Sequence, residues 1–577
     1  MHDLVIRNGV VVDGTGAPRV NADVAVDNGV ITAVGNVAER GRQEIDAGGQ
    51  IVSPGWVDIH THYDGQATWD PELAPSSTHG VTTIVMGNCG VGFAPARPDR
   101  HDWLISLLEG VEDIPGTALT EGMTWGWESF PEYLDVLDSM PRTIDVGAQI
   151  PHAALRTYVM GADGADATVA ANQAQIETMS ALCEEAIRAG ALGFTTSRTW
   201  VHRTSEGASI GTLNARADEV LGLAAALQRC GTGVIQLISD AYQTTDDALV
   251  ASELELLESI ALHVGRPLSF TVQQSDESPG RWRELLDAIA RWSDAGADVR
   301  AQTAVRPIGV VAGLTSTVNP LRCSPTYKSL STLPLAERVV RMTEPAVRNK
   351  ILAEHGAFVP AAFSATTHSG YDRMYPMAEC PNYEPTPADS LAGMAARQGR
   401  AANEVMFDYF VEDGGTNLVY LPFMNYAGGS LDDVAEMIAS PLTLSGLSDA
   451  GAHCNTLSDG TMPTTAISHW TRDRNGGRTF DLEYMVHRQT QATASWVGFD
   501  DRGVVAPGYQ ADLNIFDHET INAQAPELVQ DLPAGGTRLL QRSVGYSATI
   551  KSGTVTVADG ELTGERPGGL LRGPQQR

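Results

Sequence analysis

The sequence predicts an α/β protein: a TIM-like (β/α)8 barrel with a small β-sandwich domain built from both chain ends. Two observations predict this fold. Through the middle of the 577 residues, strand-like apolar runs alternate with helical runs, which is the pattern of a parallel barrel. Both ends instead carry short β-branched runs separated by turn dipeptides. We therefore expect a composite sandwich from residues 1–53 and 503–577, and a barrel from residues 54–502.

The two ends predict hairpins. Near the N-terminus, residues 4–7 and 10–12 are rich in β-branched side chains and flank the turn dipeptide Asn8-Gly9. Near the C-terminus, residues 547–551 and 554–557 repeat the pattern around a Ser-Gly pair. Because so few short strands are marginally stable by themselves, we expect those of one end to pair with those of the other.

The most informative stretch begins the predicted barrel. A mostly apolar run around the Pro54-Gly55 turn predicts a buried strand that ends at His60-Thr61-His62. Side chains alternate along a strand, so His60 and His62 point the same way. Two imidazoles on one side of a strand end are what a catalytic divalent metal requires. We expect both histidines to be metal ligands.

The next predicted strand ends beside a cysteine. Residues 81–86 form an apolar, β-branched run, and Cys89 lies in a Gly-Asn-Cys-Gly loop just past its carboxyl end. A thiolate beside a metal is tightly held and has a strongly lowered pKa. Cys89 is therefore a candidate ligand, and a buried structural thiol is the alternative.

The alternation continues through the middle of the chain. Residues 170–189, 220–227 and 285–292 show apolar side chains at helical spacing. Strand-like runs at 234–238 and 299–305 follow the second and third of these helices. The alternation is typical of successive βα units.

Two segments interrupt this pattern. Residues 95–145 and 320–430 are the least regular and the richest in Pro, Gly and Trp. We interpret both as loops or insertions over the barrel mouth, where the active sites of such barrels lie.

Taken together, these landmarks resemble the amidohydrolase superfamily in its N-acyl-D-amino-acid deacylase (D-aminoacylase) branch. Residues 51–62 are similar to its first barrel strand, which ends in Asp-x-His-x-His, and residues 75–90 to the second strand and loop. Residues 190–197 resemble a mid-barrel strand, residues 442–453 the eighth strand, and residues 507–517 the C-terminal signature. The resemblance spans nearly the whole chain and implies the same fold.

The resemblance also implies roles for single residues. In this branch the cysteine of the second loop is a metal ligand, which corresponds to Cys89. The eighth-strand aspartate touches the metal, takes a proton from the bound water and passes it to the leaving amine, which corresponds to Asp449. In isolation, Asp449 could equally cap a turn before Gly451. Imidazole, carboxylate and thiolate ligands together favour Zn2+.

Two features depart from the superfamily. Its members often bridge two metals with a carboxylated lysine at the fourth strand, but the chain's lysines, Lys328, Lys350 and Lys551, lie elsewhere. Where the branch has histidines on its fifth and sixth strands, this chain has Gln236 and Gln273. A neutral amide is a poor zinc ligand but can hydrogen-bond substrate. We expect one zinc ion, with both glutamines orienting the substrate or the metal-bound water.

Several other residues are candidates for substrate binding. His152 follows a strand-like run, His202 lies in a predicted mouth loop, and His453 is close to the predicted catalytic aspartate. For His152 and His202, a satisfied structural histidine is an equal alternative. Arg198 and Arg373 could bind a substrate carboxylate through two hydrogen bonds.

Composition narrows the class of protein. The net charge of −32 and the pI near 4.7 argue against nucleic acid or an anionic membrane as partners. The sequence contains no run of 18 apolar residues and does not begin like a signal peptide. The 6 cysteines show no paired spacing, which favours reduced thiols in the cytoplasm. We expect a cytoplasmic enzyme with a small-molecule amide substrate, and a homo-oligomer is compatible with the sequence.

The expected function is metal-dependent hydrolysis of a C–N bond in a linear, non-peptide amide. The resemblance favours an N-acyl amino acid of D configuration as substrate. A cyclic-amide hydrolase, like hydantoinases or dihydroorotases, is one alternative, and the missing bridging lysine counts against it. A metal-poor, non-catalytic binding relative is another, suggested by the two glutamines. The joint presence of His60, His62 and Asp449 favours catalysis.

Overall fold

The structure, a computed structural model, describes residues 1–362, 370–456 and 460–577, with the backbone alone at 356–362. Strands and helices alternate along much of the chain, which confirms the α/β class. The strands are β1 (His2–Val11), β2 (Val20–Asp27), β3 (Val30–Gly35), β4 (Gly41–Asp46), β5 (Ile51–Pro54), β6 (Trp56–Asp58), β7 (Val81–Met86), β8 (Asp145–Ala148), β9 (Ile150–Pro151), β10 (Gly193–Arg198), β11 (Val234–Ser239), β12 (Leu268–Thr271), β13 (Val299–Thr303), β14 (Ile308–Gly313), β15 (Tyr375–Pro376), β16 (Leu418–Met424), β17 (Thr443–Ser445), β18 (Leu513–Phe516), β19 (Asn522–Leu532), β20 (Gly536–Val544), β21 (Tyr546–Lys551), β22 (Thr554–Ala558) and β23 (Glu561–Leu562).

The α-helices lie between and around these strands. Among the described residues, none of them is both long and apolar enough to cross a membrane. The helices are α1 (His101–Glu112), α2 (Gly116–Gly122), α3 (Phe130–Asp138), α4 (His152–Met160), α5 (Ala162–Ala165), α6 (Gln173–Ala189), α7 (Ala217–Cys230), α8 (Asp247–His263), α9 (Arg281–Asp294), α10 (Pro325–Leu330), α11 (Leu335–Thr343), α12 (Pro345–Ala362), α13 (Leu391–Gln398), α14 (Ala402–Val411), α15 (Asp432–Ala439), α16 (Met462–Ser468), α17 (Leu482–Arg488) and α18 (Gln491–Trp496).

The two chain ends meet in one 9-stranded sheet. Its strand order is β23-β22-β21-β18-β5-β1-β2-β3, with β4 beside β1. The ends join where β5 and β18 pair antiparallel, with Ser53 opposite Asn514. The hydrogen bonds define a single continuous sheet. The sandwich and its boundaries at 1–53 and 503–577 therefore stay predictions.

The turn predicted at Asn8-Gly9 is wrong. β1 continues through these residues, and the register to β2 shifts between Ile6 and Gly9, which is a bulge inside one strand. Asn8 adopts a left-handed φ of 56°, the conformation that also suits a tight turn. A side chain at Gly9 would come within 2.5 Å of Val52 Cγ2 on β5, so close strand packing explains the glycine.

The central strands pair in parallel. β6-β7-β8 form one set and β9-β10-β11-β12-β13-β17 the other. Only Gln149 separates β8 from β9, and its N–H still donates to Met86 O of β7. A parallel bridge between Thr61 and Ala450 connects the residues just after β6 and β17.

The predicted central helices are present, with different ends. α6 begins at Gln173 rather than residue 170 because the Asn172 side chain caps the helix and the Gln175 side chain caps in return. It ends at Gly190, which adopts a left-handed φ of 119° as its C-cap. α7 and α9 are longer than predicted because polar residues extend each helix beyond its apolar face.

The two predicted interruptions contain helices. Residues 95–145 include α1, α2 and α3, and residues 320–430 include α10 to α14. The second segment adds an apolar cluster of its own, which includes Met342, Phe407 and Phe410. Both segments are therefore folded insertions rather than open loops.

A buried charge cluster joins the terminal sheet to the central strands. Lys551 Nζ of β21 lies 2.9 Å from Asp145 Oδ2 of β8 and 2.9 Å from Asp512 Oδ1. Arg502 Nη1 donates to the same Asp145 oxygen at 2.6 Å. These ion pairs connect β21 of the terminal sheet with β8 of the central strands.

Candidate metal centre

His60 and His62 lie side by side just past β6. Between them, Thr61 N donates to Val85 O of β7 at 3.1 Å and Thr61 forms the bridge to Ala450, which fixes the extended backbone. Alternation along this backbone places the two imidazoles on one side, with ring centroids 5.4 Å apart. Both side chains are buried, at 0% and 3% exposure.

Cys89 approaches these histidines from the loop after β7. Gly90 has a φ of 70°, and a side chain there would come within 2.6 Å of Thr196 Cα, so only glycine allows the loop to fit. Cys89 itself has a φ of 54°, a rare conformation for a residue with a side chain. Its Sγ lies 3.2 Å from His60 Nε2.

Asp449 reaches the same point from the loop after β17. Its Oδ1 lies 3.3 Å from His60 Nε2 and 3.6 Å from His62 Nε2. Asp449 also has a left-handed φ, of 50°. Gly451 lets the loop pass close to the histidines, because a side chain there would come within 2.9 Å of the His62 carbonyl oxygen. Strained backbone at two of these loops is typical of functional sites.

The donor set fits a divalent metal. Ligand atoms of His60, His62 and Cys89 all lie within 4.8 Å of one another, and all three residues are buried. With Asp449, the site offers two imidazole nitrogens, a sulfur and a carboxylate oxygen, a set that suits zinc. These four residues are the metal-ligand candidates predicted from the sequence.

The charges around Cys89 and Asp449 favour the thiolate and the carboxylate, the forms that bind a metal. Burial raises the pKa of the Cys89 thiol, but the neighbouring His60 and His62 outweigh it, so the pKa lies below its usual value. Burial likewise raises the pKa of Asp449, and the hydrogen bond from His62 with the charge of His60 brings it well below its usual range.

Each histidine is contacted from behind through Nδ1. His60 Nδ1 lies 2.5 Å from Gln302 Oε1, and Gln302 Nε2 donates to Ser269 Oγ, so the amide oxygen faces the ring. The ring must then donate from Nδ1, which leaves Nε2 free to bind an ion. His62 Nδ1 lies 3.1 Å from Glu112 Oε1, a charge contact whose angle falls short of a hydrogen bond.

Glu112 is a site residue that the sequence analysis missed. It is the last residue of α1, in the first insertion, and is 1% exposed. The signal was present: Leu104, Leu108 and Glu112 follow at four-residue intervals, so the apolar face of α1 carries a carboxylate into the interior. Because Glu112 does not follow a predicted strand, the sequence pattern does not connect it with His60 and His62.

A cavity of about 420 Å³ opens beside the four candidate ligands. Of the predicted substrate-binding residues, Gln273 and His453 line it. Gln273 Oε1 accepts a hydrogen bond from Asn425 Nδ2, and its Nε2 has no hydrogen-bond partner among the described residues. His202, the mouth-loop candidate, also lines the cavity, and burial lowers its pKa to about 3.

Gln236 lies behind the candidate ligands. Its Oε1 accepts a 2.8 Å hydrogen bond from Cys89 N and so holds the cysteine loop in place. Its Nε2, like that of Gln273, has no hydrogen-bond partner in the described part of the chain.

Three other candidates lie away from the cavity. His152 is buried between Thr196 Oγ1 and Glu219 Oε1, at 2.8 and 3.0 Å, which is the satisfied structural histidine of the alternative reading. Arg198 pairs with a carboxylate oxygen of Glu253 at 2.6 Å and lines a different cavity. Arg373 pairs with an Asp276 oxygen at 2.5 Å.

Comparison with known proteins gives a consistent family. A sequence model of the amidohydrolase family matches residues 43–557. The N-acyl-D-aspartate deacylase of Alcaligenes xylosoxydans xylosoxydans is 28% identical, over 99% of this chain and 95% of that protein. An uncharacterised protein of Mycobacterium tuberculosis (strain ATCC 25618 / H37Rv) is 26% identical, over 98% of this chain and 93% of that protein.

Solved structures with a similar fold include two deacylases. The crystal structure of D-aminoacylase aligns with a TM-score of 0.64 and 24% identity, covering 99% of this chain and 100% of that one, which shows a shared fold. N-acyl-D-glutamate deacylase from Bordetella bronchiseptica, complexed with zinc and a phosphonate inhibitor, aligns with a TM-score of 0.64 and 25% identity, covering 99% of each chain.

Proposed function

The chain belongs to the amidohydrolase family of metal-dependent C–N hydrolases, and on that basis we propose that it deacylates a linear N-acyl compound. One observation carries the proposal: His60, His62, Cys89 and Asp449 converge from the ends of three different strands onto one point beside a cavity. Two of the relatives named above are an N-acyl-D-aspartate deacylase and an N-acyl-D-glutamate deacylase, which supports the cleavage of a linear amide.

The proposal includes the barrel itself. Two sets of parallel pairs, β6-β7-β8 and β9-β10-β11-β12-β13-β17, are separated along the chain only by Gln149. With the Thr61–Ala450 bridge, they support a closed (β/α)8 barrel over residues 54–502. The candidate ligands then lie at the carboxyl ends of the strands, where active sites of such barrels occur. The 9-stranded terminal sheet would be the composite sandwich of residues 1–53 and 503–577.

We propose Zn2+ as the resident ion, held by His60, His62 and Asp449 with Cys89 as a further ligand. A divalent ion held by these residues would polarise an amide carbonyl and lower the pKa of a water molecule. Gln236 and Gln273 offer neutral amides where a histidine-ligated second ion would need imidazoles, which favours a single ion. The zinc of the N-acyl-D-glutamate deacylase structure supports the choice of metal.

Asp449 is the proposed proton carrier. Its lowered pKa keeps the carboxylate ionised at neutral pH, ready to accept a proton from the attacking water. As the water oxygen bonds to the amide carbon and the C–N bond breaks, the same proton passes to the leaving nitrogen. Gln273 lines the cavity and its Nε2 has no hydrogen-bond partner among the described residues, so we propose that it donates a hydrogen bond to a substrate oxygen.

Two further parts of the proposal concern the compartment and the partners. All 6 cysteines are free thiols, which suits a reducing compartment, and we propose the cytoplasm. The reaction needs only a small-molecule amide. The lysines Lys328, Lys350 and Lys551 do not line the cavity, so the cyclic-amide alternative gains no bridging ligand from them.

The test combines metal content with acetate release from a panel of N-acetyl amines and amino acids. We expect close to one equivalent of zinc in active protein, and no gain in activity with excess zinc. His60→Asn with His62→Asn should lose both metal and activity while keeping the fold. His263→Asn, an exposed histidine on α8, is the matched control. Unchanged metal stoichiometry in the double variant would exclude the proposed site.

A further inference from the structure

In the described part of the chain, the basic side chains that line the cavity beside the candidate ligands are all histidines: His60, His62, His202 and His453. Neither arginine nor lysine is among the residues that line it in the part of the chain that the structure describes. The segments outside the described side chains, 356–369 and 457–459, contain no arginine and no lysine in the sequence. A negatively charged substrate group would therefore find no guanidinium or ammonium partner in this cavity.

Several acidic side chains line the cavity. Glu109, Glu112 and Asp113, from the last turn of α1, all line the cavity together with Asp449. Glu112 is held close to His62 and so stays inside the site. A bound divalent ion would itself be offset by anionic ligands, Asp449 and the Cys89 thiolate. The field inside the cavity opposes a second anion.

The arginines closest to the cavity along the chain are already engaged. Arg198 is paired with Glu253. Arg203, next to the lining residue His202, donates to the carbonyl oxygens of Trp200 and Gly207. Arg306, two residues before the lining residue Ile308, is buried over the Tyr383 ring and donates to Pro307 O and Thr461 Oγ1. Their contacts point these guanidinium groups at protein partners.

The rest of the lining combines neutral polar side chains and histidines with an apolar part that suits an uncharged group. Seven apolar side chains border the cavity, from α1, from the mouth loop, from β11, β14 and β16, and from the loop before Asp449. They are Val111, Val201, Ile238, Ile308, Phe423, Met424 and Leu447. An apolar ligand group gains from burial against such a wall, whereas a carboxylate there loses its hydration without a partner.

We propose that the amine half of the substrate carries no carboxylate, so that the substrate is an uncharged linear amide with an apolar amine group. This inference rests on the proposed function and narrows its substrate. In an N-acyl amino acid the carboxylate is attached to the carbon beside the amide nitrogen. When the amide lies at the candidate ligands, that carboxylate must lie in the cavity, where Glu109, Glu112 and Asp113 repel it and neither arginine nor lysine lines the described part.

Two compounds isolate the carboxylate. N-acetyl-isoamylamine is N-acetyl-D-leucine without its carboxylate, and N-acetyl-D-leucinamide keeps the same shape with the charge removed. Acetate release by the zinc-loaded protein gives kcat/KM for each. We expect both uncharged compounds to exceed N-acetyl-D-leucine by at least about 100-fold, because the carboxylate would be buried unpaired. Equal or faster turnover of N-acetyl-D-leucine would overturn the inference.

A binding measurement separates this inference from the proposed reaction. The ketone isosteres of N-acetyl-isoamylamine and N-acetyl-D-leucine, in which CH2 replaces NH, have no C–N bond to cleave, and calorimetry gives their Kd. Tighter binding of the uncharged isostere, by tenfold or more, supports the inference even if no amide is hydrolysed, and such a result would contradict the proposed function alone. Equal or tighter binding of the carboxylate, or no binding of either isostere, would refute the inference.

Discussion

Replacing Glu112 by glutamine tests whether a carboxylate from the first insertion controls metal binding. The change keeps the side-chain shape and removes the charge that lies 3.1 Å from His62 Nδ1. Both side chains are almost fully buried, at 2% and 3% exposure, so solvent screens the contact poorly. A carboxylate in this position favours the His62 tautomer with its proton on Nδ1, which leaves the Nε2 lone pair available to bind the metal.

The size of the effect follows from that distance. An imidazolium and a carboxylate 3.1 Å apart would attract by about 5 kcal/mol at an effective dielectric constant near 20. As a metal ligand His62 is a neutral imidazole, so this value is an upper bound for the contact. Partners behind metal-binding histidines usually change metal affinity by about 10- to 100-fold. We therefore expect Glu112→Gln to weaken zinc binding by that factor while its melting temperature without metal changes little.

Zinc titration in a chelator buffer measures this directly. Glu109→Gln is the matched control, because Glu109 lies on the same helix and lines the same cavity, but its Oε1 accepts from Gly116 N at 3.0 Å instead of contacting His62. Unchanged zinc affinity in Glu112→Gln would refute the reasoning. An equal loss in Glu109→Gln would attribute the effect to general charge rather than to the contact with His62.

Three further changes test separate parts of the structure. Asp449→Asn nearly preserves volume but removes the proton acceptor, so kcat should fall at least about 10²-fold, and near-normal turnover would assign the proton to another group. His79 is buried, and burial lowers its pKa to about 4. In the unfolded state the pKa of this histidine is near 6.5. The contribution of His79 to the free energy of unfolding is therefore fully present above pH 6.5, and the free energy of unfolding falls by about 3 kcal/mol as the pH decreases to 4. His79→Gln should flatten this part of the pH dependence in denaturant unfolding, and an unchanged slope would contradict it. Lys551→Met removes a positive charge that pairs with Asp145 and Asp512 in the buried charge cluster, so the free energy of unfolding should fall by about 3–5 kcal/mol. An unchanged free energy of unfolding would mean that water reaches the carboxylates.

The parts of the site that the sequence could predict all lie at strand ends. His60, His62, Cys89 and Asp449 each follow a short apolar run, and parallel strands bring their carboxyl ends to one edge, so pattern alone places them together. Glu112 lies on a helix inside an insertion, and nothing local relates it to a particular strand. Its position depends on tertiary packing, which periodicity does not contain.

Wrong or unsupported details also have physical causes. Asn8-Gly9 suits both a tight turn and a strand bulge, and the choice was made by the neighbouring β5. Arg198 looked available for a substrate carboxylate, yet Glu253, 55 residues away, pairs with it. In each case the deciding partner is distant in sequence, so the local pattern could not identify it.

One electrostatic arrangement explains both the metal site and the inferred substrate. The acidic end of α1 places Glu112 behind His62, where it favours a bound cation, and places Glu109 and Asp113 on the cavity wall, where they oppose a substrate carboxylate. If the two effects share this origin, Glu112→Gln should change them together: zinc affinity falls, and the preference for N-acetyl-isoamylamine over N-acetyl-D-leucine becomes smaller. Glu109→Gln should reduce the preference alone, because it contacts no candidate ligand. A preference that survives both substitutions unchanged would mean that the apolar wall, and not the acidic one, selects the substrate.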